Sequence, residues 1–467
     1  MKKTLLLAAA ALLLCACAEK NPVLSIEGGL VQGVECECAP GVTVYRGIPF
    51  AAPPVGDLRW REPQPVIPWE GVKVADSFGA PAVQTNHTPG NWTPEFFYDG
   101  DPEFSEDCLY LNVWTPAPGK IGAKLPVCLW IHGGGYNAGW GHEPEMDGEE
   151  WAKHGCILVT CNYRLQLLGF LTHPALTAES PHGVSGNYGM LDQIAALKWV
   201  RNNIAQFGGD PDKITIMGQS AGAASIKTMV TSPLSKDLIA GAIIQSGGGL
   251  NVSPVSSEGA FQASEADGKK LMDWAGYETL EQMRAIPAGE VIKLVGKYIA
   301  ETGERISPGI RPVADGYALP ETFDEAALAG RIADVPYMIG GTLDDMGNLG
   351  GTNIRTFCLQ REKDGGKPAY AYQFARRLPT DGRDGVLEGA FHSSELWYMF
   401  KSLRFCWRPM TEGDYDLAEQ MITCWTDFVK TGDPGASWTP CTAEEPQSMI
   451  FRLDEEGKVA SSMGFVK

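Results

Sequence analysis

The chain has 467 residues, of which 44% are hydrophobic, and its formal net charge at pH 7 is -19. The apolar share suits a globular protein with a large core, and the acidic balance argues against nucleic-acid binding, which needs clustered Lys and Arg. Zinc-binding and nucleotide-hydrolysing motifs are both missing from the sequence, so we expect no metal site.

The N-terminal residues predict export from the cytoplasm. A basic start is followed by ten apolar residues, Leu5 to Leu14, which are too few to cross a bilayer core about 30 Å thick and are typical of a signal peptide. The next residues resemble a bacterial lipoprotein cleavage site. We therefore expect residues 1–16 to be removed, Cys17 to be lipidated, and residues 17–30 to tether the protein to the bacterial cell envelope, on the periplasmic or outer-membrane side. The alternative is an ordinary signal peptide cleaved nearby, which would leave the protein secreted.

No linker, repeat or low-complexity tract divides the remainder, so residues 31–467 are predicted to form one domain. Within it, the apolar run from Leu125 to Ile131 predicts a buried strand, and His132-Gly133-Gly134-Gly135-Tyr136 follows at once. Backbone N–H groups of such a loop can face an oxyanion because no Cβ obstructs them. A phosphate-cradling loop is the rival interpretation, but it would want a following lysine or a helix start.

The segment around Ser220 predicts a nucleophile elbow. Gly218-Gln219-Ser220-Ala221-Gly222 lies between an apolar run, Ile214 to Met217, and a segment with helical character. In a chain with 55 glycines a bare G-x-S-x-G can arise by chance, so the strand–turn–helix context carries the prediction. The amide of Ala221, the residue after the serine, is a further oxyanion donor in such an elbow.

A serine nucleophile needs a base and an acid that orients the base. In this type of elbow the chain order is Ser, acid, His, and His392 is the one of the seven histidines that follows Ser220. A predicted strand at residues 335–340 leads into a loop that carries Asp344 and Asp345, and the residues alone leave both open as the acid. Residues from about 250 to 335 look helical and are predicted to form a cap.

Jointly, these residues resemble the type-B carboxylesterases, which include the cholinesterases and the bacterial para-nitrobenzyl esterases. The motifs that carry the resemblance are Tyr45-Arg46-Gly47-Ile48-Pro49-Phe50-Ala51, Glu106-Asp107-Cys108-Leu109-Tyr110-Leu111-Asn112-Val113, Gly186-Asn187-Tyr188-Gly189-Met190-Leu191-Asp192-Gln193, and Phe207 to Gly222. The resemblance implies an α/β-hydrolase fold, with a mostly parallel central sheet flanked by helices and with helical insertions over the active-site cleft. It also implies hydrolysis of small-molecule carboxylic esters without a cofactor.

Carried over by position, the resemblance assigns the nucleophile to Ser220 and the base to His392. It places Asp345 where the family usually has the Glu of a G-x-x-x-D-E pattern. The remaining implied positions are the oxyanion donors Gly134, Gly135 and Ala221, and a supporting serine, Ser246, near the acid.

Two alternatives for the function stay open. One is a carbohydrate-side esterase that removes feruloyl or acetyl groups. The other is a non-catalytic binding protein like the cholinesterase-like adhesion proteins, although these usually lose a triad member and this chain keeps all three. Membrane association is expected through the N-terminal lipid alone, and the sequence leaves the oligomeric state undetermined.

Overall fold

The structure, a computed structural model, describes residues 21–87, 92–254, 256–347 and 352–465. The predicted signal peptide and Cys17 lie outside these ranges. The strands in the described residues are β1 Val23–Ile26, β2 Gly29–Gln32, β3 Val34–Glu35, β4 Thr43–Pro49, β5 Val72–Val74, β6 Tyr110–Thr115, β7 Leu125–Ile131, β8 Ile157–Cys161, β9 Gly209–Gln219, β10 Gly241–Gln245, β11 Tyr337–Thr342, β12 Ala369–Phe374, β13 Ser448–Phe451 and β14 Ser462–Gly464.

The α-helices lie mainly in the connections between these strands. They are α1 Thr93–Phe96, α2 Glu149–Lys153, α3 Gln166–Phe170, α4 Pro174–Glu179, α5 Tyr188–Asn203, α6 Ala221–Thr231, α7 Ala260–Trp274, α8 Leu280–Arg284, α9 Ala288–Val291, α10 Leu294–Thr302, α11 Phe323–Leu328, α12 Thr352–Lys363, α13 Leu396–Met399 and α14 Glu412–Thr431. None of the helices in the described ranges is both long enough and apolar enough to cross a membrane.

The large sheet is mixed but mostly parallel, as expected of an α/β-hydrolase fold. Its strand order is β14-β13-β12-β11-β10-β9-β7-β8-β6-β4-β3. The central neighbours from β13 through β8 are parallel, and antiparallel pairs close both edges. A second sheet has the order β1-β2-β5.

Both faces of the central sheet are buried, which explains why its strands are apolar throughout rather than alternating. Successive side chains of a strand point to opposite faces. Ile216 of β9 accordingly belongs to one core with Ile226 of α6, whereas the next residue, Met217, belongs to a second core with Trp425 of α14. Helices on both faces hold β7, β9 and β11 rigidly, so the loops at their carboxyl ends are well placed to carry a site.

The structure corrects the predicted tether. Residues 17–20 lie outside the described ranges, but from Val23 the chain is folded, because β1 pairs with β2 in an antiparallel hairpin. Leu24 of this hairpin is 3% exposed, and the amide of Glu27 donates to Asn203 Oδ1 at 2.8 Å. Glu27 and Gly28 form the turn between the two strands, so the prediction of a tether is wrong for residues 23–30.

The segment predicted as a cap is helical, as expected, and contains α7 to α11. Part of it packs in a separate apolar core, in which Leu271 and Met283 join Leu167 and Leu171. None of the described residues in 250–254 and 256–335 borders the cavity beside Ser220.

Candidate active site

Ser220 lies in the sharp turn between β9 and α6. Its backbone has φ 57° and ψ -120°, a conformation that costs energy for a residue with a Cβ and is typical of functional sites. The turn is held because the Ser220 amide donates to Gln245 O at 2.9 Å. Close approach requires both flanking glycines: a Cβ on Gly218 would stand 2.5 Å from the carbonyl carbon of Gly222, and one on Gly222 would stand 2.0 Å from Ile131 O.

The structure pairs the predicted base with one of the two candidate acids. His392 Nδ1 lies 2.5 Å from Asp345 Oδ1, and both side chains are almost fully buried. Burial opposes ionisation of Asp345, but the hydrogen bond and charge of His392 outweigh it and hold the pKa of this carboxyl below its ordinary value. A buried carboxylate beside Nδ1 fixes the ring orientation and stabilises a protonated imidazole.

Asp344 takes a different place. Its Oδ2 accepts a hydrogen bond from the Ala390 amide at 2.8 Å and another from Arg377 Nη1 at 3.1 Å. The side chain is 37% exposed. Asp344 therefore ties the loop before His392 to the end of β11 and leaves the imidazole to Asp345.

The second imidazole nitrogen faces Gln219, which precedes the serine. Gln219 Nε2 lies 3.2 Å from His392 Nε2. An amide N–H can donate only to an unprotonated Nε2, so this contact favours the tautomer in which Nδ1–H donates to Asp345. That tautomer leaves on Nε2 the lone pair that a general base needs. Catalytic hydrogen bonds to the nucleophile commonly tighten only when substrate binds.

The glycine loop after β7 packs against the serine. A Cβ on Gly133 would stand 3.2 Å from Ser220 Cβ, and Gly134 and Gly135 have φ of 90° and 65°, which favour glycine. A Cβ on Gly134 would stand 2.0 Å from Ala138 O. Ala221 is the first residue of α6 and directly follows Ser220. Gly134 and Gly135 border the same cavity as Ser220, and Ala221 lies at the N-terminus of α6, which favours negative charge.

Ser246 lies behind the acid, at the end of β10, with φ 50°. Its hydroxyl donates to Glu395 Oε1 at 3.3 Å and also interacts with Asp345. The sequence prediction placed Ser246 near the acid but did not single out Glu395. Burial, and then the charge of Asp345, raise the pKa of Glu395 to about 8, so this carboxyl is protonated at neutral pH. The signal available in the sequence was that Glu395 follows His392 by three residues.

Ser220 and His392 border one cavity of about 350 Å³. Its apolar wall contains Trp92, Phe96 and Phe97, which the sequence analysis did not predict. These residues come from α1 and its flanks, far from Ser220 in sequence. Such a wall suits the body of an ester, with the glycine loop beside its carbonyl.

A strained serine, a carboxylate-oriented imidazole and a glycine loop in one cavity are the parts that acyl transfer requires. Comparison with known proteins agrees. The carboxylesterase family model matches residues 20–357 and 349–464. The chain is 42% identical to the fumonisin B1 esterase of Sphingopyxis macrogoltabida over 323 residues, which cover 68% of this chain and 55% of that protein.

Longer matches cover nearly the whole chain. The para-nitrobenzyl esterase of Bacillus subtilis (strain 168) is 32% identical over 489 residues, which cover 93% of this chain and 95% of that protein. A solved structure of a thermophilic PNB esterase superposes with a TM-score of 0.79 at 27% identity, covering 94% of this chain and 97% of the other.

Proposed function

The chain belongs to the carboxylesterase family and is a carboxylic ester hydrolase, and we propose that it acts through an acyl-enzyme formed on Ser220. His392 serves as the base and Asp345 as the orienting acid. The observation that carries the proposal is the 2.5 Å contact between His392 and Asp345, since it lies at the cavity that Ser220 borders.

In the first half of the reaction, Ser220 Oγ attacks the ester carbonyl and His392 Nε2 takes its proton. For this step the imidazole exchanges its contact with Gln219 for one with the hydroxyl. The oxyanion forms against the amides of Gly134, Gly135 and Ala221, and each such donor typically contributes about 10²–10³ in kcat. The tetrahedral intermediate collapses, and His392 gives its proton to the leaving alcohol.

In the second half, water enters the site that the alcohol has left. His392 removes a proton from it, the hydroxyl adds to the acyl carbon, and the same amides stabilise the second oxyanion. Collapse releases the carboxylic acid and returns the proton to Ser220. Asp345 stays ionised throughout and stabilises the imidazolium, consistent with its lowered pKa.

Hydrolysis of para-nitrophenyl acetate, butyrate and octanoate by the wild type and by Ser220→Ala tests the proposal. We expect the variant to lose most of the activity on every ester. Ser393→Ala is the matched control, because Ser393 is a second serine that borders the same cavity, and it is expected to retain activity. Equal rates for wild type and Ser220→Ala would contradict the proposal.

We also propose that the protein is a lipoprotein of the bacterial cell envelope, anchored through Cys17. The support is the N-terminal sequence, with its short apolar run and a cysteine after a small residue. One acyl chain gives only reversible membrane binding, so stable anchoring needs the several chains of a lipoprotein. The full chain should fractionate with membranes and Cys17→Ser should not. Equal distribution of the two forms would refute the anchor.

A further inference from the structure

Two buried carboxyls form part of the cavity wall near the oxyanion loop. Glu143 and Glu145 are 7% and 1% exposed, and both border the cavity shared with Ser220. Glu143 Oε1 accepts a hydrogen bond from the Trp140 amide at 2.9 Å. The Glu143 and Glu145 side chains are hydrogen-bonded to each other, and no other donor among the described residues reaches the buried Oε2 of Glu145. The acyl-transfer mechanism uses neither side chain.

A third buried carboxyl in the same region, Glu95, has the cationic partner that the pair lacks within the described residues. Glu95 is 1% exposed and faces the fully buried Arg408. Arg408 Nε donates to both oxygens of Glu95 at 3.0 Å, and Nη2 donates to Oε2 at 2.7 Å. In the described part of the chain, no Lys, Arg or His forms an ion pair with either carboxyl of the Glu143–Glu145 pair.

Because no cation among the described residues pairs with these carboxyls, burial raises the pKa of both. Burial raises the pKa of Glu143 to about 7. Burial, reinforced by the charge of Glu143, raises the pKa of Glu145 well above its ordinary value. The pair therefore holds a proton at neutral pH, which is the usual response of buried carboxyls without a partner. Apolar side chains of similar size would often cost less.

We propose that Glu143 and Glu145 form a recognition subsite for a primary ammonium group on the ester substrate. This inference rests on the proposed esterase function and names the substrate class of that site. An ammonium group carries three N–H donors and supplies the positive charge that the pair lacks, so it replaces the shared proton and forms charge-assisted hydrogen bonds.

The rest of the cavity suits the body of such a substrate. Trp92, Phe96 and Phe97 border the same space and offer apolar surface to a short alkyl chain, together with aromatic faces that favour a nearby cation. A metal ion fits less well, because the described residues contain no group of three or more metal-binding side chains.

The pH dependence of ammonium binding has a definite sign. Because the pair loses a proton near pH 7, its negative charge grows between pH 6 and pH 8 and ammonium binding tightens. A primary amine keeps its proton over this range, with a pKa of about 10. Burial lowers the pKa of His132 to about 3 and raises the pKa of Tyr98 and Cys406 to about 12, so these neighbours stay neutral.

Four other ionisable groups lie near the pair. Burial raises the pKa of Tyr163, and Glu95 forms an ion pair with Arg408. His87, held by Asp101 at 2.6 Å, and His392 border the cavity as well. A Glu145→Gln variant separates the contribution of the carboxyl pair from theirs.

The test uses three probes with the same pentyl chain as competitive inhibitors of para-nitrophenyl acetate hydrolysis: pentylammonium, 1-pentanol and pentyltrimethylammonium. Direct binding of the same probes to Ser220→Ala is measured by calorimetry. We expect pentylammonium to bind at least about tenfold more tightly than pentanol, because a hydrogen bond to a charged group is worth about 1.5–3 kcal/mol. The trimethylated probe, which has no N–H donor, should bind more weakly than pentylammonium.

The ammonium preference should disappear in Glu145→Gln and remain in Glu281→Gln, which removes an exposed carboxylate of α8. The ratio of two inhibition constants is the readout, so it does not depend on the fraction of folded protein. Equal binding of pentylammonium and pentanol to the wild type would overturn the inference. So would an undiminished preference in Glu145→Gln, or equally tight binding of the trimethylated probe. Ammonium-selective binding without any ester hydrolysis would leave the subsite standing and reject the proposed function instead.

Discussion

Gly222 tests how the nucleophile elbow supports the glycine loop after β7. It lies in the first turn of α6, and a Cβ there would stand 2.0 Å from Ile131 O and 2.8 Å from His132 O. Both atoms are backbone, directly before the glycine loop. Gly222→Ala must therefore push the end of β7 away by about 1 Å, and a misplacement of that size costs on the order of 10² in rate. Overpacking should also cost about 1–3 kcal/mol of stability.

The assay is kcat/KM for para-nitrophenyl butyrate together with the thermal unfolding temperature. Gly296→Ala is the matched control, because this glycine of α10 has nothing within 4 Å of its Cβ position and alanine is the better helix former by about 1 kcal/mol. We expect Gly222→Ala to lose about 100-fold in kcat/KM and to unfold earlier, while Gly296→Ala keeps its activity and is no less stable. Activity of Gly222→Ala within threefold of the wild type would refute the reasoning.

Three further predictions concern carboxyl groups. Asp345→Asn should lower kcat by about 10⁴-fold. Asp344→Asn should lower kcat less than tenfold, because its half-exposed ion pair with Arg377 is worth at most about 1 kcal/mol. Similar losses in both variants would show that the acid is misassigned. Asp192→Asn should lower the free energy of unfolding, measured by denaturant titration, by about 3–5 kcal/mol. Arg164 donates to Asp192 at 2.7 and 2.8 Å, and the variant leaves this arginine buried without its partner. A loss under about 1 kcal/mol would contradict the prediction. Glu395 stays protonated in the folded state up to about pH 8 but ionises above about pH 4.5 when unfolded, so it lowers the free energy of unfolding as pH rises between these values. The free energy of unfolding of Glu395→Gln should therefore rise relative to that of the wild type by up to about 1.4 kcal/mol per pH unit in this range. Parallel pH profiles of the two proteins would disprove the shift.

The sequence predicted the elements whose signals are local. The apolar runs before Gly133 and Ser220 predicted buried parallel strands, and the chain order limited the base to His392. The choice between Asp344 and Asp345 required either the family pattern or the structure, since both residues leave the same strand. Only the folded loop shows that one carboxylate faces the imidazole and the other faces Arg377.

The cavity wall was beyond sequence reasoning for a different reason. Trp92, Phe96 and Phe97 reach the site from a short helix more than 120 residues before Ser220, and no periodicity marks them as cavity residues. Glu143 and Glu145 look like surface acids in a polar stretch, and their burial follows from tertiary packing alone. The N-terminal hairpin was not predicted, because a tether was expected after Cys17.

The central claim, that Ser220 is the nucleophile, is tested most directly by covalent labelling. The wild type is treated with a fluorophosphonate, the adduct is counted by intact mass, and its position is found by peptide mass spectrometry. We predict one adduct per chain, located on Ser220 and absent from Ser220→Ala, with much slower labelling of Asp345→Asn. An adduct on another residue, or equal labelling of Ser220→Ala, would contradict the account.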